Sequence, residues 1–141
     1  MDAERAFVRE ARARRRAALM RALRRQPAEC GRLPVYDERS LPPRRTALSP
    51  GIREIPLDAI SGTLEPSRAE MFDTCFRPAG RTRGRWQRVW LAEHRGTVLP
   101  PISVVPVGDT FAVRDGHHRV SVAKARGAAT IDARIDGLAL R

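Results

Sequence analysis

Apolar and polar positions divide the chain into three stretches. From Asp2 to about Arg25 there is no Gly or Pro, and Phe7, Ala11, Ala18, Leu19, Ala22 and Leu23 give a weak apolar stripe at helical spacing. The Ala- and Arg-rich composition favours a helix, which Gln26-Pro27 stops. Arg14, Arg15 and Arg16 break the stripe, so one face is sticky and the rest is strongly cationic. Residues 26–50 carry Pro27, Gly31, Pro34, Pro42, Pro43 and Pro50 with little periodicity, the composition of an extended linker. Tyr36 is its one candidate anchor, and no internal repeat is visible.

The last stretch reads as a mixed α/β unit. Ile52, Ile55, Leu57 and Ile60 predict a first strand, with Pro56 implying an edge or a bulge, and Ser61-Gly62-Thr63 a turn after it. Two short helices follow, about Pro66 to Phe76 and about Arg85 to His94, the second burying Trp86, Val89, Trp90 and Leu91 and stopped by Gly96. Ile102, Val104, Val105 and Val107 lead through Gly108-Asp109 into Thr110-Phe111-Ala112-Val113, a hairpin by its turn chemistry. Asp115-Gly116-His117-His118-Arg119 then opens a helix through Val120, Val122, Ala123 and Ala125, closed by Gly127, and Ile131 to Ile135 form a final strand. The expected domains are therefore a basic helix at 1–25, a linker at 26–50 and a folded unit at 51–141.

Composition narrows the function classes. The 141 residues are 42% hydrophobic, which excludes wholesale disorder, and no apolar run approaches a membrane span. Asp2, Glu4, Arg5, Arg9 and Glu10 stand where a secretory signal needs apolar residues, so a cytoplasmic location is expected. Cys30 and Cys75 fit neither a disulfide framework nor a CxxC zinc site, and a reducing compartment would leave both as thiols. The net charge of +11 calls for a polyanion, either nucleic acid or an anionic surface. Residues 1–50 hold 13 basic and 6 acidic side chains, so Arg12, Arg15, Arg16, Arg24 and Arg25 are the candidate phosphate contacts to DNA. Lys124 is the only lysine, and a codon bias toward Arg accounts for part of this basicity.

One constellation carries chemistry. At Asp115-Gly116-His117-His118-Arg119 a strand hands over to a helix, and the first amides of that helix have no intrahelical acceptor. Gly116 lets the turn tighten and a ligand approach the main chain, while the positive helix end and Arg119 favour phosphate oxygens. His117 and His118 add donors that titrate near neutrality, and Asp115 is placed to cap the helix or touch a metal or ribose hydroxyl. The bland alternative is routine capping with exposed polar residues. Adjacent histidines diverge on a helix and His94 lies in another element, so no zinc site is expected. Arg81, Arg83, Arg85 and Arg88 around Gly80 and Gly84 form a second basic cluster, a loop closing over phosphates or plain solvated surface. Trp86 and Trp90, four apart, read as core rather than as base-stacking platforms.

The order Ile55-x-Leu57-x-x-Ile60, Trp86, Leu99-Pro100-Pro101-Ile102-Ser103-Val104, Val107-Gly108-Asp109-Thr110-Phe111, Asp115-Gly116-His117-His118-Arg119 and Gly127 before Ile131 resembles the ParB/sulfiredoxin superfamily. In particular it resembles the ParB-like nuclease domain of chromosome-partitioning proteins, over about Ile52 to Ile135. The resemblance implies an α+β fold, a small mixed sheet with three or four helices behind the N-terminal basic helix. It also implies a nucleotide-phosphate-binding, DNA-associated switch module of bacterial type. Gly116, His117, His118 and Arg119 would then bind a nucleoside triphosphate, CTP or ATP, with or without Mg2+. The partners it implies are the nucleotide and DNA rather than a membrane, and it admits a homodimer.

The departures from the family pattern narrow this further. Sulfiredoxins place their reactive cysteine immediately before the His-Arg pair, where this chain has His117, so peroxiredoxin repair lacks its nucleophile. Partition proteins continue into a helix-turn-helix domain that is not in this sequence. They usually carry Gly-Glu-Arg-Arg at the turn, so His117-His118 leaves the base open. Free-serine kinases of the superfamily use a glutamate soon after the first strand, and Glu65 lies in about that place. The alternative function is accordingly a small phosphotransferase, NTP hydrolase or nuclease, with Glu65, Asp115 and His118 as the catalytic candidates. Glu65 before Pro66 is equally explained by the preference for acidic side chains at a helix start.

Overall fold

A computed structural model describes residues 2–24, 31–41 and 51–136. Helix α1 (Ala3–Arg24) presents Ala3, Ala6, Phe7 and Ala11, spaced by three and four, to the core. It docks on α3 (Arg83–His94), where the Phe7 and Trp86 rings meet edge to face at 5.6 Å. Arg83 lies over the Phe7 ring at 5.1 Å and pairs with Glu4, while Arg9 Nη2 donates to the Ala125 carbonyl at 3.1 Å. The helix is therefore packed on the folded unit along its first three turns. Arg14 belongs to the inward face, its Nη2 donating to the Glu70 carbonyl at 3.3 Å.

The predicted first strand is two strands. Leu57 to Ala59 make a single 3-10 turn between β1 (Gly51–Pro56) and β2 (Ile60–Thr63), and these lie at opposite edges of a five-stranded sheet. The order is β1-β5-β3-β4-β2, with β3 (Ile102–Val107), β4 (Thr110–Asp115) and β5 (Thr130–Ile135) completing it. β3 and β4 form the antiparallel hairpin, β1 runs antiparallel to β5, and the β2–β4 and β3–β5 pairs are parallel. Pro56 is tolerated because β1 is an edge, and Pro106 because β5 pairs only with Ile102–Val104, leaving the missing amide without a partner to lose.

Ser61-Gly62-Thr63 is thus strand, not turn, and the segment read as linker explains why. Val35 bridges to Thr63, the Tyr36 amide donates to the Thr63 carbonyl at 2.9 Å, and Leu33 is buried. A side chain on Gly62 would stand 2.5 Å from the Pro34 carbonyl oxygen, so only glycine admits this close crossing.

The helix predicted to reach Phe76 ends at Ala69: α2 spans only Pro66–Ala69. Asp73 stops it, its Oδ1 accepting from the amides of Cys75 at 3.0 Å and Arg77 at 2.9 Å, and Phe76 takes φ 56°. Phe72 and Phe76 turn inward beside Trp86, Val104, Val113 and Val120, all almost inaccessible to solvent. The fold is α+β, and α4 (His117–Ala125) crosses from β4 back to β5. Cys75 is disulfide-bonded, which corrects the expected thiol, and Cys30 lies outside the described residues. Among the described residues no helix is long and apolar enough to cross a membrane.

Candidate functional site

β4 delivers the chain to Asp115, and Gly116 turns it into α4 with φ 109°, a value L residues avoid. A Cβ here would stand 2.4 Å from Ile102 Cγ2, so the glycine is required first by the strand packed beneath it. The start of α4 carries no side-chain cap, which corrects the expectation that Asp115 caps it. Its Oδ2 instead accepts from Arg119 Nη2 at 3.1 Å. The leading amides of this nine-residue helix thus keep their polarity at the turn.

Arg119 is a fixed cation. Its Nη1 donates to the carbonyls of Pro100 and Pro101, and its Nη2 to the exposed Asp115 carboxylate. It also lines a cavity of about 380 Å³ together with Leu99, Pro100, Arg126 and Asp132.

His117 and His118 differ from the exposed, titrating pair expected from the sequence. They are 3% and 7% exposed. His117 Nε2 lies 2.6 Å from Thr63 Oγ1, its ring stacks on Phe72 at 6.3 Å, and the His118 ring meets the same phenyl edge-on at 5.2 Å. Burial, with smaller contributions from the charge of Arg68 and from His118, lowers the His117 imidazole to about 3. Burial, then Arg85 and Arg68, lower His118 to about 4. Both rings are neutral near pH 7 and serve the packing of α4. Trp86, which donates through Nε1 to Ser121 Oγ at 2.8 Å, is core as expected.

The charges of Arg68 and Arg85 act on both rings. Arg85 belongs to the second basic cluster of the sequence, whereas Arg68 and Thr63 carry no motif of their own. The signal that points to them is positional: both flank Glu65, just after the strand that pairs with β4. Arg119 thus stands in the first turn of an uncapped helix, and the positive charges of Arg68 and Arg85 are felt at the two histidines beside it. Among the described residues no three His, Cys, Asp or Glu side chains cluster to hold a metal.

Glu65 is placed elsewhere. It lines a cavity of about 670 Å³ with Tyr36, Glu38, Arg39, Leu64 and Arg114, and that cavity includes neither Gly116 nor His118. On α1, Arg12, Arg15 and Arg16 are exposed, and Arg12 and Arg16 line a shallow cavity of about 430 Å³ with Arg5, Val8 and Arg9. Arg24 ends the helix, its side chain outside the described atoms, and Arg25 lies outside the described residues.

No family model matches the chain, and no curated protein does. Among solved structures it is similar to sulfiredoxin from Arabidopsis thaliana, at 23% identity and a TM-score of 0.47, over 62% of this chain and 85% of that one.

Proposed function

We propose that this protein is a nucleotide-phosphate-binding module of the ParB-like kind, associated with DNA through its basic helix. The observation that carries this reading is the start of α4: nine helical residues open without a side-chain cap, with Arg119 in the first turn and the positive charges of Arg68 and Arg85 acting on its two histidines. A triphosphate there gains main-chain donors, the helix dipole and the Arg119 guanidinium, in a field made more positive by Arg68 and Arg85. The exposed Arg12, Arg15 and Arg16 supply contacts that any duplex satisfies, independent of sequence.

The enzyme alternative has less to stand on. His118 is buried and neutral, Asp115 is committed to Arg119, and Glu65 faces the Arg114 cavity, so the three catalytic candidates do not converge on one reacting centre.

Thermal unfolding measured with CTP, ATP, GTP and ADP, each with magnesium, tests the binding half. A ligand of the folded state raises the melting temperature by mass action. At least one triphosphate is expected to do so, and no rise with any of the four removes the reading. Affinity for labelled duplex at increasing salt, with and without the stabilising nucleotide, tests the DNA half, and no affinity at low salt removes that half alone.

A further inference from the structure

Cys75 is disulfide-bonded and half-buried, and it stands between two phenylalanines that pack against the start of α4. The Phe72 ring stacks on His117 at 6.3 Å and meets His118 edge-on at 5.2 Å, while the Phe76 ring lies 6.5 Å from His117. Within this turn the Phe76 amide donates to the Asp73 carbonyl at 2.8 Å, and the Cys75 and Arg77 amides donate to Asp73 Oδ1. Cys75 therefore shares one tight turn with both rings that face the helix start.

The same turn is fastened to residues 31–36. The Thr74 amide donates to the Gly31 carbonyl at 3.0 Å, and Arg32 bridges Asp73 in the antiparallel sense. Residues 34–36 then flank β2: the Thr63 amide donates to the Pro34 carbonyl and the Tyr36 amide to the Thr63 carbonyl, both at 2.9 Å. Thr63 in turn bonds His117 through its hydroxyl. The Phe72–Phe76 turn and residues 34–36 thus bear on His117 by two routes, one by ring contact and one through Thr63. They join each other beside Cys75. A pairing as short as that of Gly31 and Arg32 with Thr74 and Asp73 closes a long loop, so its own bonds hold weakly against chain entropy, and a covalent link beside it removes much of that cost. The sequence holds one other cysteine, Cys30, next to Gly31.

We propose that Cys75 is a site of thiol–disulfide exchange, through which a dithiol reductant loosens the start of α4. A thiolate of the reductant attacks the bond, one protein sulfur leaves as a thiolate, and a mixed disulfide forms. The reductant's second thiol then displaces the other protein sulfur and closes its own disulfide. The protein gains two electrons and, at its two sulfurs, two protons, and the dithiol loses the same. With the bond open, the pairing at Gly31 and Arg32 is left to its hydrogen bonding, and Phe72 and Phe76 gain freedom against His117. In a reducing compartment such a bond is a transient, sensing feature rather than a permanent brace. The loosening is independent of what α4 binds; only its effect on triphosphate affinity rests on the proposed function.

The test uses the whole chain without denaturant, oxidised with oxidised glutathione and then reduced with dithiothreitol. Iodoacetamide is expected to add nothing to the oxidised chain and one group at each of the two cysteines of the reduced one. Amide hydrogen exchange is the structural readout. Reduction should speed exchange at Thr63, Thr74 and Val120 by about tenfold or more and leave the β3–β4 hairpin unchanged. Cys75→Ser should show the fast pattern from the outset and no response to dithiothreitol; if that variant does not fold, the reduced and alkylated chain carries the test. Triphosphate affinity should fall on reduction. Loosening of these amides in a chain that binds no triphosphate in either state would leave the exchange site standing and remove the reading of α4. A bond that resists dithiothreitol in the folded chain, a bond between two chains, unchanged exchange at the three amides, or equal acceleration throughout the chain overturns the proposal.

Discussion

His117 Nε2 lies 2.6 Å from Thr63 Oγ1, and this buried pair ties the first turn of α4 to the last residue of β2. The same hydroxyl accepts from the Glu65 amide at 2.9 Å, so one threonine sets both the helix start and the exit of the strand. Replacing it with valine keeps the shape and removes the partner of a buried imidazole nitrogen. Thr63→Val is expected to cost about 1–3 kcal/mol, read as a lower urea midpoint with unchanged m value.

The neutral state of the two histidines gives stability a definite pH dependence. Both folded values, about 3 for His117 and about 4 for His118, lie below the ordinary 6.5, so the unfolded chain takes up protons that the folded chain refuses. Their contribution is complete above about pH 6.5 and is lost as pH falls toward the folded values, by up to about 1.4 kcal/mol per pH unit for each ring. Asp73 and Glu93, both raised mainly by burial, work in the opposite sense at lower pH. Urea unfolding between about pH 7 and 5 should show the loss, and His118→Asn should flatten the slope. A wild-type profile that is flat over this range contradicts the buried, neutral assignment.

Asp115 competes with any anion for Arg119. Its carboxylate is 71% exposed and accepts from Nη2 at 3.1 Å. Asp115→Asn is therefore expected to tighten nucleotide binding by about two- to fivefold, the scale of an exposed ion pair, as measured by titration calorimetry. A loss of affinity would mean that the carboxylate contacts the ligand or its metal instead.

Arg12, Arg15 and Arg16 are exposed on α1, away from the Phe7 face that holds the helix down. Changing all three to alanine should weaken duplex binding uniformly across sequences. It should also reduce the slope of log affinity against log salt by about 0.9 for each phosphate that is no longer neutralised. Melting temperature should stay nearly constant, since none of the three is in the core.

The fold is largely legible where pattern and local chemistry agree. The Val107-Gly108-Asp109-Thr110 hairpin, α3 with Trp86 and Trp90 inward, α4 between Gly116 and Gly127, and β5 all follow from periodicity and turn residues. Sequence pattern misleads where tertiary contacts decide. Ile52 to Ile60 look like one strand because their apolar spacing is continuous, yet a 3-10 turn at Leu57 sends the two halves to opposite edges of the sheet. Helix periodicity past Ala69 is overridden by the Asp73 side chain, and glycine at 62 marks the crossing of residues 34–36 rather than a turn.

The site is legible as a backbone feature and not as a set of side chains. Asp115-Gly116 before an apolar helix announces a strand-to-helix turn in any context. That His117 and His118 face Phe72 rather than solvent depends on the inward turn of Phe72, which no local spacing encodes. Arg68 and Arg85 belong to two other helices, so only the assembled fold brings their charges to bear on the same two rings.

The most direct measurement is the backbone amide spectrum of the isotope-labelled protein titrated with magnesium nucleoside triphosphates. The largest shifts should fall on the amides of His117, His118 and Arg119, with Arg68 and Arg85 next. If every triphosphate leaves those amides in place, or moves only residues remote from Gly116, the start of α4 is not a phosphate site and the proposed function is wrong.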